Sequence, residues 1–220
     1  MILIPVKNLT FAKQRLAACL DQPARTELAQ AMLQDVFAAV HGYANRPTVA
    51  IVTSDPFATH LARQYGFEII PDPINPGETG AIEMATQICV ERGAESTLVI
   101  PGDVPLIQSW ELEEIFKRAP STGSVLVPAA DGRGTNAVMR RPADLFPLRF
   151  GNDSFKPHHA AAQATGKSCV MLELPGIAVD VDNPTDLQHL MSLPGESRAQ
   201  RLARKLISDY ELPATGSDGL

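Results

Sequence analysis

Hydrophobic residues along the chain follow two alternating patterns. Short runs rich in Val, Ile, Leu and Thr occur at Ile2–Val6, Thr48–Thr53, Phe67–Ile70, Thr97–Pro101, Ser124–Val127, Asn136–Met139, Val170–Glu173 and Ile177–Val181. Several are almost continuously apolar, as strands buried on both faces must be. Between them lie longer stretches whose apolar positions recur every three or four residues. The clearest runs from Asp21 to about Val40, with Leu28, Met32, Leu33, Val36 and Phe37 on one face and Asp21 followed by Pro23 as its start signal. Further helices are predicted at Pro56–Tyr65, Ile82–Arg92, Ser109–Lys117, Ser154–Ala164 and Ser197–Ile207, with another opening at Pro184. Strands alternating with helices predict an α/β fold: a mostly parallel sheet flanked by helices, without a repeating unit.

Composition adds limits to this picture. A length of 220 residues suits one domain. We expect it to span 1–194, with 195–220 forming a short basic helix and a poorly ordered Gly/Ser/Pro tail. The cluster Arg198, Arg201, Arg204 and Lys205 is read as a solvated helix face in preference to a membrane or nucleic-acid contact. No apolar run approaches the roughly 18 residues of a membrane span, and the opening MILIPVK lacks the layout of a secretory leader, so a cytoplasmic protein is expected. Cys19, Cys89 and Cys169 stand far apart without a C-x-x-C, which argues for reduced thiols and against a cysteine zinc site. Lys and Arg total 19 against 25 Asp and Glu, a formal charge of -6, too acidic for a protein that coats nucleic acid. Any polyanion must be met locally.

Standard phosphate loops are absent: there is no G-x-x-x-x-G-K-[ST], and no G-x-G-x-x-G follows the first strand. Instead, that strand runs into a loop carrying Lys7, Lys13 and Arg15, with no acidic residue before Asp21. Ligands of open α/β sheets sit at this carboxyl end, where Lys acts as a point charge and Arg as a fork for phosphate. The fourth strand ends in Gly102-Asp103-Val104-Pro105. Asp103 is read as a Mg²⁺ ligand above the sheet, with helix capping as its competing use. Near the end of the domain, Asp180 and Asp182 fall on one side of an extended segment and repel unless a cation lies between them. Asp182 could instead cap the helix at Pro184, which makes Asp180 the preferred metal partner of Asp103. The segment Asp131-Gly132-Arg133-Gly134-Thr135-Asn136 reads either as an anion-binding nest or as a plain hairpin turn. A helix start at Ser154, preceded by Gly151, aims free N–H groups at a negative ligand. His158 and His159 lack the spacing of a helical zinc pair and read as surface residues.

Taken in order, IPVKNLTFAKQRL, PGDVPLI, DGRGTNAV, RFGNDSF and GIAVDVDNPTDL resemble the CofC/FbiD guanylyltransferases of coenzyme F420 biosynthesis, over about residues 1–190. The resemblance implies a single-domain nucleotidyltransferase fold of the GT-A/MobA type. It also implies transfer of GMP from GTP to 2-phospho-L-lactate, phosphoenolpyruvate or 3-phosphoglycerate, with release of pyrophosphate. By the same resemblance Asp103 and Asp180, with Asp182 beside them, would hold Mg²⁺, and Thr135, Gly151 and Ser154 would hold the acid. Lys7, Lys13, Thr79 and Gly102 would meet the nucleotide, and Lys7, Lys13, Arg15 and Asp103 would act on the reacting phosphates. One segment departs from the family's Leu-Asn-x-Ala: this chain reads Glu78-Thr79-Gly80-Ala81, so Thr79 stands in for an Asn contact to the base. Two other classes share parts of the pattern. A GT-A glycosyltransferase would release a nucleoside diphosphate from a nucleotide sugar, and a non-catalytic module would bind GTP alone. Nucleic-acid and membrane partners are not expected, and a homodimer is compatible with the sequence.

Overall fold

Among the described residues seven strands form one sheet, in the order β3-β2-β1-β4-β6-β5-β7. They are β1 (Ile2–Val6), β2 (Val49–Thr53), β3 (Glu68–Ile70), β4 (Thr97–Val99), β5 (Gly123–Pro128), β6 (Thr135–Arg141) and β7 (Ser168–Met171). The structure is a computed structural model that describes residues 1–73, 77–151 and 153–210. Only β6 runs against its neighbours β4 and β5; the other pairings are parallel. The tight β5–β6 connection requires this, because two strands joined by a short loop must be antiparallel. The amino end of β6 therefore lies at the same sheet edge as the carboxyl ends of β1 and β4.

Helices α1 (Gln22–Gly42), α2 (Pro56–Gln64), α3 (Glu78–Glu91), α4 (Ser109–Arg118), α5 (Phe155–Ala164), α6 (Pro184–Ser192) and α7 (Arg198–Tyr210) cover both faces. Alternation along β1 divides the core: Ile2 and Ile4 pack with Leu28, Met32 and Val36 of α1, while Leu3 packs with Ile82 and Ala85 of α3. Each of these side chains is almost wholly buried, a contribution of roughly 1.5–3 kcal/mol apiece for the larger ones. Asp21 caps α1 by accepting from Ala24 N, with Pro near the start, as its sequence signal predicts.

Two expectations change here. Ile177–Val181 is not a strand. Its backbone is held by side chains instead: the Glu111 carboxylate accepts from Gly176 N at 2.7 Å, and Asn136 Nδ2 donates to the carbonyls of Ile177 and Ala178. Gly176 is obligatory at this crossing, since a Cβ there would lie 2.3 Å from the Leu106 carbonyl oxygen. Second, packing continues past Pro194. The Asp35 carboxylate on α1 accepts from Arg198 N at 3.1 Å and Ala199 N at 2.8 Å, and Ala199, Ala203 and Leu206 join the α1 core. The basic face of α7 is turned outward and partly spent on Glu196, whose carboxylate accepts from Arg204 at 2.8 Å. The tail beyond Tyr210 lies outside the described residues. Among those described, no helix is long and apolar enough to cross a membrane, and the three cysteines are unpaired thiols.

Candidate active site

After β1 the chain turns through two short 3-10 segments, Leu9–Phe11 and Gln14–Leu16. Asp55, buried at the start of α2, fastens this loop by accepting from Leu9 N at 2.9 Å while its other oxygen caps α2. Lys13 then adopts left-handed backbone angles, φ 55 and ψ 43, an uncommon state for a residue with a Cβ. The turn lays its side chain inward. The Lys13 ammonium donates to Asp103 Oδ2 at 2.6 Å and to Asp182 Oδ1 at 2.9 Å. Arg15 reaches the other Asp182 oxygen at 3.9 Å from an exposed position. These groups, with Lys7, Gly102 and Glu78, line a cavity of about 680 Å³ at the carboxyl ends of β1 and β4, walled on one side by Ala29, Met32 and Leu33 of α1. Neighbouring strands whose connections leave in opposite directions open such a crevice.

The charges here are tightly interdependent. Burial pulls the Lys13 ammonium down, and the Asp103 and Asp182 carboxylates more than reverse it, leaving it above lysine's ordinary value. Lys13 in turn holds Asp182 below the usual carboxylate range. Asp180 is pushed up to about 6 by burial and then by the charges of Asp103 and Asp182, against the pull of its bond from Asn136 Nδ2 at 3.0 Å. Asp103 and Asp182 thus already share one cation. Asp180 stays on Asn136, and among the described residues no three metal-ligating side chains close on a single point. A pair of hard carboxylate oxygens fits Mg²⁺, which characteristically takes one or two carboxylates and completes its shell from water and substrate phosphates. Neither Asp103 nor Asp182 is a helix cap: Gln108 and Glu111 cap α4, and Asn183 with Asp186 caps α6. The alternative uses considered for the two aspartates are therefore taken by their neighbours.

Glu78 is a cavity residue that the sequence reading did not single out. Helix α3 starts at Glu78, earlier than the predicted Ile82, after Gly77 at φ 95. Burial, then the Asp103 charge, raises its carboxyl to about 7, with Lys7 pulling the other way. With an ordinary value of 4.5, Glu78 contributes stability that is complete below pH 4.5 and is lost as pH rises through 7. Glu78→Gln should therefore stabilise the metal-free protein at pH 8 by about 1–2 kcal/mol and leave it unchanged near pH 4.5; the full linkage value is reduced by partial solvent exposure. Thermal melts in EDTA at the two pH values check this. A variant no more stable than the parent at pH 8 would contradict the crowding of carboxylates in the cavity.

A second cluster meets the first through β6. Thr135 N donates to Ser154 Oγ at 3.0 Å, while the next residue, Asn136, reaches Asp180. Gly151, at φ 125 with open space around it, takes a conformation suited to glycine. The loop at 131–134 is a hairpin turn: the amides of Arg133 and Gly134 are taken up by Asp131 Oδ1, at 2.8 and 3.2 Å, so they form no anion nest. The Thr79 hydroxyl accepts from Phe150 N at 3.0 Å and ties α3 to the Gly151 segment. His158, expected on the surface, has no exposed area. Its ring lies against Phe150, centroids 5.0 Å apart, and contacts Thr135 Oγ1 at 3.0 Å.

The family described as Guanylyl transferase CofC like matches residues 1–219. The chain is similar to a phosphoenolpyruvate guanylyltransferase of Roseiflexus castenholzii, with 35% identity over 93% of this chain and 94% of that one. It is also similar to a 2-phospho-L-lactate guanylyltransferase of Methanothermobacter thermautotrophicus, with 32% identity over 99% and 95%. A solved nucleotidyl transferase from Methanothermobacter superimposes with a TM-score of 0.57 at 15% identity, covering 93% and 99%, and shares the fold.

Proposed function

The chain belongs to the CofC-like guanylyl transferase family, and we propose that it transfers GMP from GTP to a phosphorylated three-carbon acid and releases pyrophosphate. Phosphoenolpyruvate, 2-phospho-L-lactate and 3-phosphoglycerate are the candidate acids, and the product would enter the assembly of coenzyme F420. The observation that carries this reading is the pair Asp103 and Asp182 closed on the Lys13 ammonium, beside Lys7 and Arg15, in a cavity at the carboxyl edge of the sheet.

A phosphate oxygen of the acid attacks the α-phosphorus of GTP in line. A new P–O bond forms, and the bond from the α-phosphorus to the bridging oxygen breaks, its electron pair leaving with pyrophosphate. The attacking phosphate is already ionised, so no side chain has to remove a proton. What the protein must overcome is repulsion between two anions, which makes positioning and charge the main sources of rate. Lys7, Lys13 and Arg15 supply positive charge along the triphosphate. Asp103 and Asp182, with Asp180 adjacent, are the residues that would hold Mg²⁺, which when bound offsets charge on the phosphates. Thr135, Gly151 and Ser154 lie at the neighbouring edge, where the acid would sit. Cytoplasmic residence, where GTP is available, is part of the same reading.

The test is incubation with GTP, Mg²⁺ and each acid in turn, following pyrophosphate and identifying the product by mass. A GMP adduct of one acid is expected. GTP binding without pyrophosphate from any of the three would overturn the proposal.

A further inference from the structure

His158 is buried beneath the acid cluster, and both of its ring nitrogens are committed. The backbone N–H of Arg149 donates to Nε2 at 2.8 Å, so that nitrogen presents its lone pair. A neutral imidazole carries one proton, which must then be on Nδ1, the atom 3.0 Å from Thr135 Oγ1. Burial and the nearby Arg140 guanidinium bring the imidazole down to about 4, so the ring is neutral at the pH of the cell. Thr135 Oγ1 consequently accepts a hydrogen bond from the histidine and has its own hydrogen left to give.

Ser154 is set in the same way from another direction: its Oγ accepts from Thr135 N at 3.0 Å. Two hydroxyls that each accept from a protein N–H must donate elsewhere. A phosphate or carboxylate, which can only accept, is the partner such a pair selects. We propose that His158 is a positioning residue that fixes Thr135 as a hydrogen-bond donor to the anionic acid substrate. The proposal rests on the reading of Thr135, Gly151 and Ser154 as the acid's subsite.

Two substitutions separate this role from a merely structural one. In Asn the side-chain amide nitrogen can stand where Nδ1 does, so His158→Asn keeps a donor to Thr135 and loses the acceptor for Arg149 N. His158→Gln does the reverse. We expect the KM for the acid to rise roughly tenfold in His158→Gln and to stay within about threefold of the parent in His158→Asn, as the loss of one oriented hydrogen bond to a charged group predicts. The KM for GTP should not move in either variant. In a Thr135→Val background, His158→Gln should add nothing further, because the group it orients is gone. A long-range ¹H–¹⁵N spectrum of the parent should show the His158 proton on Nδ1.

An Nε2–H tautomer would overturn the proposal, as would His158→Asn matching or exceeding the defect of His158→Gln, which would mean that support of the Arg149 loop is what matters. Thr135→Val with an unchanged KM for the acid is a different failure: it would remove the subsite reading on which the proposal stands.

Discussion

Asp103→Asn should lower kcat for GMP transfer by roughly 10³-fold while shifting the melting temperature by no more than a few degrees. The two halves of this expectation come from different features. Asp103 lies just past the carboxyl end of β4, with 31% of its side chain exposed, and meets Lys13 at 2.6 Å. Neutralising it leaves Lys13 still paired with Asp182, so no buried charge is stranded and the fold has little to lose. Chemistry loses much more, because an amide oxygen is a weaker ligand for a hard cation than a carboxylate and adds no negative charge to hold it. Steady-state kinetics over a Mg²⁺ titration, with calorimetry of Mg²⁺ binding, checks the claim. Near-normal turnover at saturating Mg²⁺ would take Asp103 out of the metal site.

Lys13→Met is expected to act on stability as well as on rate. In the metal-free protein its ammonium is the shared counter-charge of Asp103 and Asp182. Stranding a fully buried partner costs about 3–5 kcal/mol. Here the carboxylates are 31% and 46% exposed, and water takes up part of the loss; about 1–3 kcal/mol is the better expectation. Mg²⁺ should restore more stability to Lys13→Met than it adds to the parent, since in the variant it meets two unpaired carboxylates. Turnover should remain low even then, because the positive charge Lys13 brings to the triphosphate is missing. Thermal melts with and without Mg²⁺ decide it: an equal Mg²⁺ response in the two proteins would mean that the lysine and the metal do not answer to the same carboxylates.

The elements were legible wherever a local signal existed. β1 was located to the residue, because a run of Ile, Leu, Pro and Val buried on both faces leaves little choice of register. The start of α1 followed from Asp21 and Pro23. The carboxyl-edge position of Lys7, Lys13, Arg15 and Asp103 followed from their place in the sequence just after the first and fourth strands. What was missed depends on partners distant in sequence. Ile177–Val181 has the composition of a strand but meets Glu111 and Asn136 before it can meet a ladder. His158 looks like half of a surface pair until the amide of Arg149 and the hydroxyl of Thr135 are brought to it. Sequence divided Asp180 from Asp182 on the wrong ground: helix capping, which made Asp180 the preferred partner of Asp103, falls to Asn183 and Asp186, while Lys13 joins Asp182 to Asp103 and Asn136 holds Asp180.

Helix α1 has two clients. One face forms a wall of the cavity at the carboxyl edge of the sheet through Ala29, Met32 and Leu33. Its Asp35 anchors the first turn of α7, and the apolar side of α7 packs along it. A chain cut before Arg198 would strand Asp35 without its two amides and bare the flank of α1 that α7 covers. The last described helix packs on α1 and α6, and through α1 it buttresses the cavity wall. Proteolysis or shearing at that end would register at the cavity wall, and a fusion partner fares better beyond α7 than in its place.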